Sequence, residues 1–414
     1  VKFAVAVHGT RGDIEPAGAV AQELLRRGHE VRLAVPPNLR EFVTSAGLPQ
    51  AASYGVDSQQ QLDADLFREL HTVRNPLTVL RESQEYIAQG YPEMSATLTE
   101  MAADADLILT GTTYQDVAGN VAEHHDIPLA ALHYFPFRPN RQVLPVPVPL
   151  PMSVIRRGFG VVEWGHWRLS KPSEDAQRRN LGLPPAKVSS VRRMIERGAL
   201  EIQAYDEVLF PGLSAEFGPD KPFVGSMSMQ LGTETDADVM SWIAADKPPI
   251  YFGFGSMPVK SPAEAVSMID RVCAELGERA LISAGVWDLG DLTLGDHVKL
   301  VGPVNHAAVF PLCRVLVHHG GAGTTAAAVR SGVPAVVLWV AADQPVWANQ
   351  IRRLKLGVAH RFSSANAKVL HKALRTALQP DYQVRARAAA ARMIQPADSA
   401  ARTADLLEKA ACRR

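Results

Sequence analysis

The order of apolar runs and helical patterns in this chain predicts an α/β protein built from two doubly wound domains. Short β-branched runs alternate with amphipathic stretches over the first third of the chain, and the same alternation restarts near residue 249. Between them lies an irregular middle, with RPNRQVLPVPVPLP (138–151) carrying five prolines. Such a run suits neither a helix interior nor a central strand and reads as an extended loop on the rim of the first domain. The chain has 414 residues and 47% apolar content, ample for two cores.

In order, KFAVAVHG (2–9) is a first strand. The turn TRGDIE follows, then a helix expected to open with Pro16 near its first position and to end at Arg26, Arg27 and Gly28. EVRLAVP, DLILTG and PLAALHYF continue the series as strands, and His124/His125 read as a helix C-terminus. The segment with Trp164 and Trp167 reads as a partly exposed helix. In the second half PPIYFGFGS is a strand, and SPAE (261–264) is a capping box opening a helix to about Glu278. RALISAG, VKLVGPV, RVLVHHG and PAVVLWV are further strands, and residues 400–413 form a terminal helix. The expected division is a Rossmann-like domain over 1–216, a second over 217–395, and a C-terminal helix, 396–414, packing back towards the first.

Composition narrows the function classes. Zero formal net charge argues against nucleic acid as the main partner, so any anionic ligand must be held by local geometry. Cys273, Cys313 and Cys412 match no metal or redox spacing and read as thiols in a reducing compartment. The N-terminus reads as a strand, not a signal peptide, and no apolar run approaches the ~18 residues of a membrane helix. A cytoplasmic protein is expected, with peripheral membrane contact left open.

The most informative stretch is VLVHHGGAGTTAAAVRSG (315–332). Two histidines and three glycines stand between a strand and a helix expected from about Thr324. In a parallel α/β sheet, ligands bind beyond the C-terminal strand ends, where helix N-termini present free N–H groups carrying roughly half a positive charge. Glycines let an anion approach that backbone, and Thr324, Thr325 and a histidine add donors, so the loop reads as a diphosphate cradle. It is neither a P-loop, lacking the lysine, nor a GxGxxG dinucleotide fingerprint. GTRGDIEP (9–16) is a second site-like loop: Asp13 suits a helix N-cap or a general base, and Thr10 or Arg11 suits phosphate. The Asp-x-Asp pairs at 63/65, 104/106 and 236/238 read as surface and capping residues, so no metal is expected.

VHHGGAGTTAAAVRSGVP followed by DQPVWANQI resembles the nucleotide-sugar signature of family 1 glycosyltransferases with the GT-B fold, in which two Rossmann-like domains face each other across a cleft. GTRGDIEP resembles the N-terminal loop of the bacterial glycopeptide-antibiotic and sterol glycosyltransferase branch, and the chain looks most like mycobacterial enzymes of glycopeptidolipid assembly. The resemblance implies Asp13 as catalytic base and His319 as a phosphate contact, with Gly321, Gly323, Thr324 and Thr325 forming the phosphate turn. It implies further that Asp343 and Gln344 read sugar hydroxyls, that Ser256 lies near the diphosphate and that the backbone of Val304 meets the base; Arg11 is grouped with the donor. The plant branch has a uracil-stacking tryptophan where this chain has Val301, so UDP and dTDP both stay open.

The implied reaction is inverting, metal-independent transfer of a sugar, glucose or a 6-deoxyhexose, from a nucleotide sugar to a hydroxyl of a lipid, lipopeptide or other hydrophobic acceptor. Partners are thus the nucleotide sugar and that acceptor, with no resident cofactor. The proline-rich loop and the tryptophans are the expected acceptor region. The rival readings are a nucleotide-sugar epimerase and a catalytically silent sugar-nucleotide-binding protein.

Overall fold

A computed structural model describes residues 1–63, 90–143, 152–229, 231, 236–254, 261–284 and 292–412. The chain packs as two units. One comprises 1–205, 212–229 and 395–414; the other comprises 206–211 and 230–394.

The first unit contains β1 (Lys2–Ala6), α1 (Arg11–Arg26), β2 (Glu30–Val35), β3 (Ala52–Ser53), α2 (Tyr91–Ala102), β4 (Leu107–Thr110), α3 (Gln115–His125), β5 (Leu129–His133), α4 (Met152–Asn180), α5 (Ser190–Glu196) and β6 (Leu200–Gln203). Its strands are parallel in the order β3-β2-β1-β4-β5-β6. Helices cover both faces, so the strands are apolar almost throughout rather than alternating. Ala4, Ala6, Ile108 and Ala131 pack on one face against Met94 and Leu98 of α2 and Val117 and Val121 of α3.

α1 begins at Arg11, not near Pro16, which sits in the helix interior. A capping box between Thr10 and Asp13 starts the helix a turn and a half earlier and outweighs the N–H that proline lacks. His124 and His125 end α3. Asp104 pairs with Lys2 and Arg32, and Asp106 Oδ2 accepts the Lys2 amide at 2.8 Å, both away from the ligand end of the sheet.

The second unit contains α6 (Asp236–Ala244), β7 (Ile250–Gly253), α7 (Pro262–Leu276), β8 (Ala280–Ser283), β9 (Val298–Val301), β10 (Val315–His318), α8 (Ala322–Arg330), β11 (Ala335–Trp339), α9 (Gln344–Arg353), β12 (Gly357–Arg361), α10 (Ala367–Ala377) and α11 (Pro380–Ala390). Its parallel order, β12-β11-β10-β7-β8-β9, repeats that of the first unit. Ile250, Phe252, Ile282, Val315 and Val317 face α7 and α10, while Tyr251, Leu281 and Leu316 face the opposite cluster around Phe310. α7 ends two residues before Glu278 because Gly277 adopts a left-handed cap at φ 64°.

A single cut after residue 216 does not describe the division. Residues 222–224 satisfy the backbone of β6, with Gln203 N–H donating to Pro222 at 2.8 Å and Val224 N–H to Gln203 at 3.1 Å, so the chain stays with the first unit to 229. The terminal helix, α12 (Pro396–Ala411), starts earlier than residue 400 and packs on α1. Arg27 there reaches Asp405 at 2.6 Å and Glu408 at 3.1 Å. Cys273 and Cys313 are buried, Cys412 is exposed, and all three are free thiols. No helix among the described residues is long and apolar enough to cross a membrane.

Candidate functional site

In each sheet the strand order reverses beside the first strand, between β1 and β4 and between β7 and β10. Beyond the C-terminal ends of strands at such a reversal lies the crevice where open α/β sheets bind ligands. The two loops singled out in the sequence follow β1 and β10.

In the first unit, Asp13 is the third residue of α1 and Thr10 is the N-cap. The Thr10 amide donates to Asp13 Oδ2 at 2.7 Å and its hydroxyl donates to the same oxygen at 3.0 Å. Asp13 is therefore the N3 member of a capping box, not the N-cap itself. Gly9, at φ 145°, makes this possible: a Cβ there would stand 2.3 Å from Asp13 Oδ2. The loops after β4 and β5 brace this turn. Thr113 Oγ1 donates to the His8 carbonyl at 2.6 Å, and Tyr134 Oη donates to the Asp13 carbonyl at 2.8 Å. Arg11 points outward, with Nε on Glu15 at 2.8 Å and its guanidinium 4.6 Å above the Phe42 ring.

In the second unit, β10 delivers His318 into the core, where its Nδ1 accepts the Gly320 amide at 3.1 Å. Gly320 turns the chain at φ 92°; a Cβ there would lie 2.7 Å from Val337 Cγ1. Gly321 is the N-cap of α8, which starts at Ala322 rather than Thr324, and no side chain caps it. The first-turn N–H groups thus point beyond the sheet with only glycine and alanine before them. The His319 ring lies over Gly321, with Nε2 2.6 Å from where a Cβ would stand, while its Nδ1 is buried with no hydrogen-bond partner among the described residues. Burial holds His319 down to about 4, and burial with neighbouring histidines holds His318 down to about 3. Both are neutral at pH 7, and His319 can offer one N–H. Gly323 is open and Thr324 half-buried. Thr325 is fully buried with its hydroxyl unpaired among the described residues, so Thr324 is the accessible hydroxyl of the two.

The N-terminus of α9 stands beside this loop: a Cβ on Gly320 would be 3.5 Å from the Gln344 carbonyl oxygen. Gln344 Oε1 accepts the Val340 amide at 2.8 Å and the Ala341 amide at 3.4 Å, which orders the turn. Asp343 Oδ2 accepts the Trp347 indole N–H at 2.8 Å. Burial pushes the Asp343 carboxyl up and the indole bond holds it down. The HHGGAGTT loop and the Asp343–Gln344 pair are thus neighbours in space.

Val304 places its side chain in the core with Val309 and Phe310, leaving only its backbone for contact. Val301 ends β9, partly buried against the same cluster. Ser256 lies outside the described residues, as do 144–151 of the proline-rich loop. Trp164 is 59% exposed, whereas Trp167 Nε1 donates to buried Glu174 at 2.9 Å. Among the described residues no group of three or more His, Cys, Asp or Glu could hold a metal ion. Gly9, Thr10, Gly320 and Trp347 were not singled out for the roles they have here. Gly9 and Thr10 carried a legible signal, because T-x-x-D after a strand is a capping-box pattern.

Residues 3–137 match the glycosyltransferase family 28 N-terminal domain, and residues 284–409 match the C-terminal domain of erythromycin biosynthesis protein CIII-like proteins. The chain is 56% identical to the uncharacterized glycosyltransferase Rv1524 of Mycobacterium tuberculosis (strain ATCC 25618 / H37Rv), over 100% of both chains. It is 31% identical to glycosyltransferase GtfE of Amycolatopsis orientalis, over 96% of this chain and 95% of that one. In fold it is similar to CalG4, the calicheamicin glycosyltransferase, with a TM-score of 0.73 at 18% identity, covering 100% of this chain and 98% of that one. Glycosyltransferase VinC in complex with dTDP gives a TM-score of 0.69 at 16% identity, over 100% of both chains. With its two six-stranded parallel sheets, the chain belongs to the family 1 glycosyltransferases, an enzyme of the α/β two-domain GT-B fold.

Proposed function

We propose that this glycosyltransferase holds the diphosphate of a nucleotide sugar at the Gly321–Thr324 turn and transfers the sugar, with inversion and without a metal, to an acceptor hydroxyl. The observation that carries the reading is the uncapped α8 N-terminus flanked by the half-buried His319 imidazole, with the Asp343–Gln344 pair alongside. Backbone N–H groups and one neutral imidazole suit the negative charge that grows on a leaving diphosphate. In this reading the Asp13 carboxylate takes the acceptor O–H proton as that oxygen bonds to the anomeric carbon. The bond from the anomeric carbon to the diphosphate oxygen breaks, and its electron pair leaves on the diphosphate. A carboxylate is a weak base towards an alcohol, so proton transfer accompanies bond formation. Thr10 would hold Asp13 in place through both of its donors.

Likeness to VinC and SsfS6, both crystallised with thymidine diphosphate, supports a dTDP-linked donor over UDP, and the rhamnosyltransferase SpnG among the similar folds supports a 6-deoxyhexose. A lipid or lipopeptide acceptor, as in glycopeptidolipid assembly at the cytoplasmic face of the membrane, follows from the mycobacterial resemblance.

The test is calorimetric titration with UDP, dTDP, GDP and NAD, each with and without EDTA. Tight, EDTA-insensitive binding of dTDP or UDP alone is expected; absence of diphosphate binding, or its loss with EDTA, overturns the metal-free cradle. Asp13→Asn should abolish transfer while donor affinity stays within a few fold. Equal turnover by mutant and parent would remove Asp13 as the base. Conversion of the donor without any acceptor would favour an epimerase.

A further inference from the structure

Asp343 occupies the N-cap position of α9 but does not serve as a cap. Its backbone is helical, at φ −80° and ψ −13°, and no side-chain bond runs from it to the first-turn amides. The preceding Ala342 is left-handed at φ 56°, an unusual conformation for alanine that turns the chain into the helix. The carboxylate instead reaches one turn along the helix, where Oδ2 accepts the Trp347 indole N–H at 2.8 Å. Trp347 is 1% exposed and meets the fully buried Phe210 edge to face, with ring centroids 5.4 Å apart.

Phe210 belongs to 206–211, which packs with the second unit although the residues on both sides of it pack with the first. Asp206 anchors that stretch, accepting the Ile394 amide at 2.7 Å and facing Arg330 at 3.7 Å. Arg330 ends α8, and its Nε donates to the Ile394 carbonyl at 3.2 Å. The segment 206–211 thus touches both helices whose N-termini form the candidate donor site, α8 through Asp206 on Arg330 and α9 through Phe210 on Trp347.

We infer that Trp347 is a positioning residue for recognition of the donor sugar: its indole N–H, fixed by Phe210, sets the direction of the Asp343 carboxylate. The inference rests on the reading that Asp343 meets a sugar hydroxyl. A buried indole wedged against an aromatic ring has little rotamer freedom, so its N–H is a fixed point. A carboxylate oriented before the ligand arrives loses no freedom on binding, which is how a supporting shell sharpens a binding group. Burial disfavours the charged carboxylate, and the indole N–H opposes that effect.

Trp347→Phe keeps an aromatic ring in the core and removes only the N–H and part of the volume. Calorimetry would compare dTDP with dTDP-glucose, and UDP with UDP-glucose, for the parent, Trp347→Phe, Asp343→Ala and the double variant. Loss of a hydrogen bond to a charged group should weaken nucleotide-sugar binding about tenfold, with the free nucleoside diphosphate unchanged within about twofold. On the Asp343→Ala background, Trp347→Phe should have no further effect on sugar binding, because the indole acts through that carboxylate. Phe210→Leu, which loosens the indole without removing its N–H, should move sugar affinity in the same direction by a smaller factor. Equal losses for nucleotide and nucleotide sugar, additive losses in the double variant, or no change would each overturn the assignment. A parent that binds the diphosphates but gains nothing from the sugar would overturn it too, while leaving the phosphate cradle standing. A parent that binds neither removes the donor-site reading itself.

Discussion

Gly9→Ala perturbs the Asp13 turn at a single atom. The added Cβ would stand 2.3 Å from Asp13 Oδ2, 2.6 Å from Cγ and 2.8 Å from Cβ, so the carboxylate must retreat by about 1 Å to reach ordinary contact. That retreat lengthens the bonds from the Thr10 amide and hydroxyl, now 2.7 and 3.0 Å, beyond hydrogen-bonding range. Losing donors to a charged group costs about 1.5–3 kcal/mol. Holding alanine at φ 145° adds about 1–3 kcal/mol of strain. The first unit should therefore lose about 2.5–6 kcal/mol, a large share of an ordinary domain's stability. If Asp13 is the base, displacement by about 1 Å lowers turnover on the order of a hundredfold. The assay pairs chemical denaturation with turnover at saturating donor and acceptor, plus calorimetric donor affinity, which should stay within about twofold. Gly12→Ala is the control. Its Cβ would meet nothing closer than Thr10 Oγ1 at 3.7 Å, inside the same helix turn, so it should be neutral or stabilise by up to about 1 kcal/mol. Parent-like stability and turnover in Gly9→Ala would refute the reasoning, because the carboxylate would then be free to settle elsewhere.

Acid should unfold this protein through its buried imidazoles. Burial holds His133 and His318 down to about 3 and His319 to about 4, all below the ordinary 6.5. Depressed histidines contribute stability that is fully present above 6.5 and lost as pH falls towards those values, so each forfeits about 2 kcal/mol by pH 5. Two of the three lie in the second unit, which should therefore lose more; urea transitions with equal midpoints at pH 7.5 and pH 5 would contradict this. His319→Ala should weaken UDP or dTDP binding about tenfold or more by removing a donor to phosphate, without lowering thermal stability at pH 6. Unchanged calorimetric affinity would take His319 out of the cradle.

Much of the fold was legible because its signals are local. β-branched runs bounded by glycine and polar turns, alternating with 3.6-residue periodicity, mark each βα step wherever they occur. The turn after β10 was legible for the same reason: HHGGAGTT stands between a strand and a helix, and its glycines mark where the chain must bend. Helix starts were less so. Pro16 is a strong local mark for a first helical position, yet the Thr10–Asp13 capping box starts α1 at Arg11, and two competing short-range signals carry no weights in a sequence. The same holds for α8, which opens on Gly321, Ala322 and Gly323 and has no side-chain cap to announce it.

By itself, then, the sequence determined the class of protein, the two doubly wound halves and the residues of the two loops, since each depends on neighbours a few positions apart. Tertiary structure alone decided which strands lie side by side, and so that both loops stand where strand order reverses. It alone set Thr325 inward while Thr324 stays accessible, sent 206–211 into the second unit, and put Phe210 against Trp347 and the indole against Asp343. The physical reason is range. Hydrogen-bond geometry within a turn is encoded in adjacent residues, whereas a contact between residues 210 and 347 exists only once burial of apolar surface has folded the chain between them.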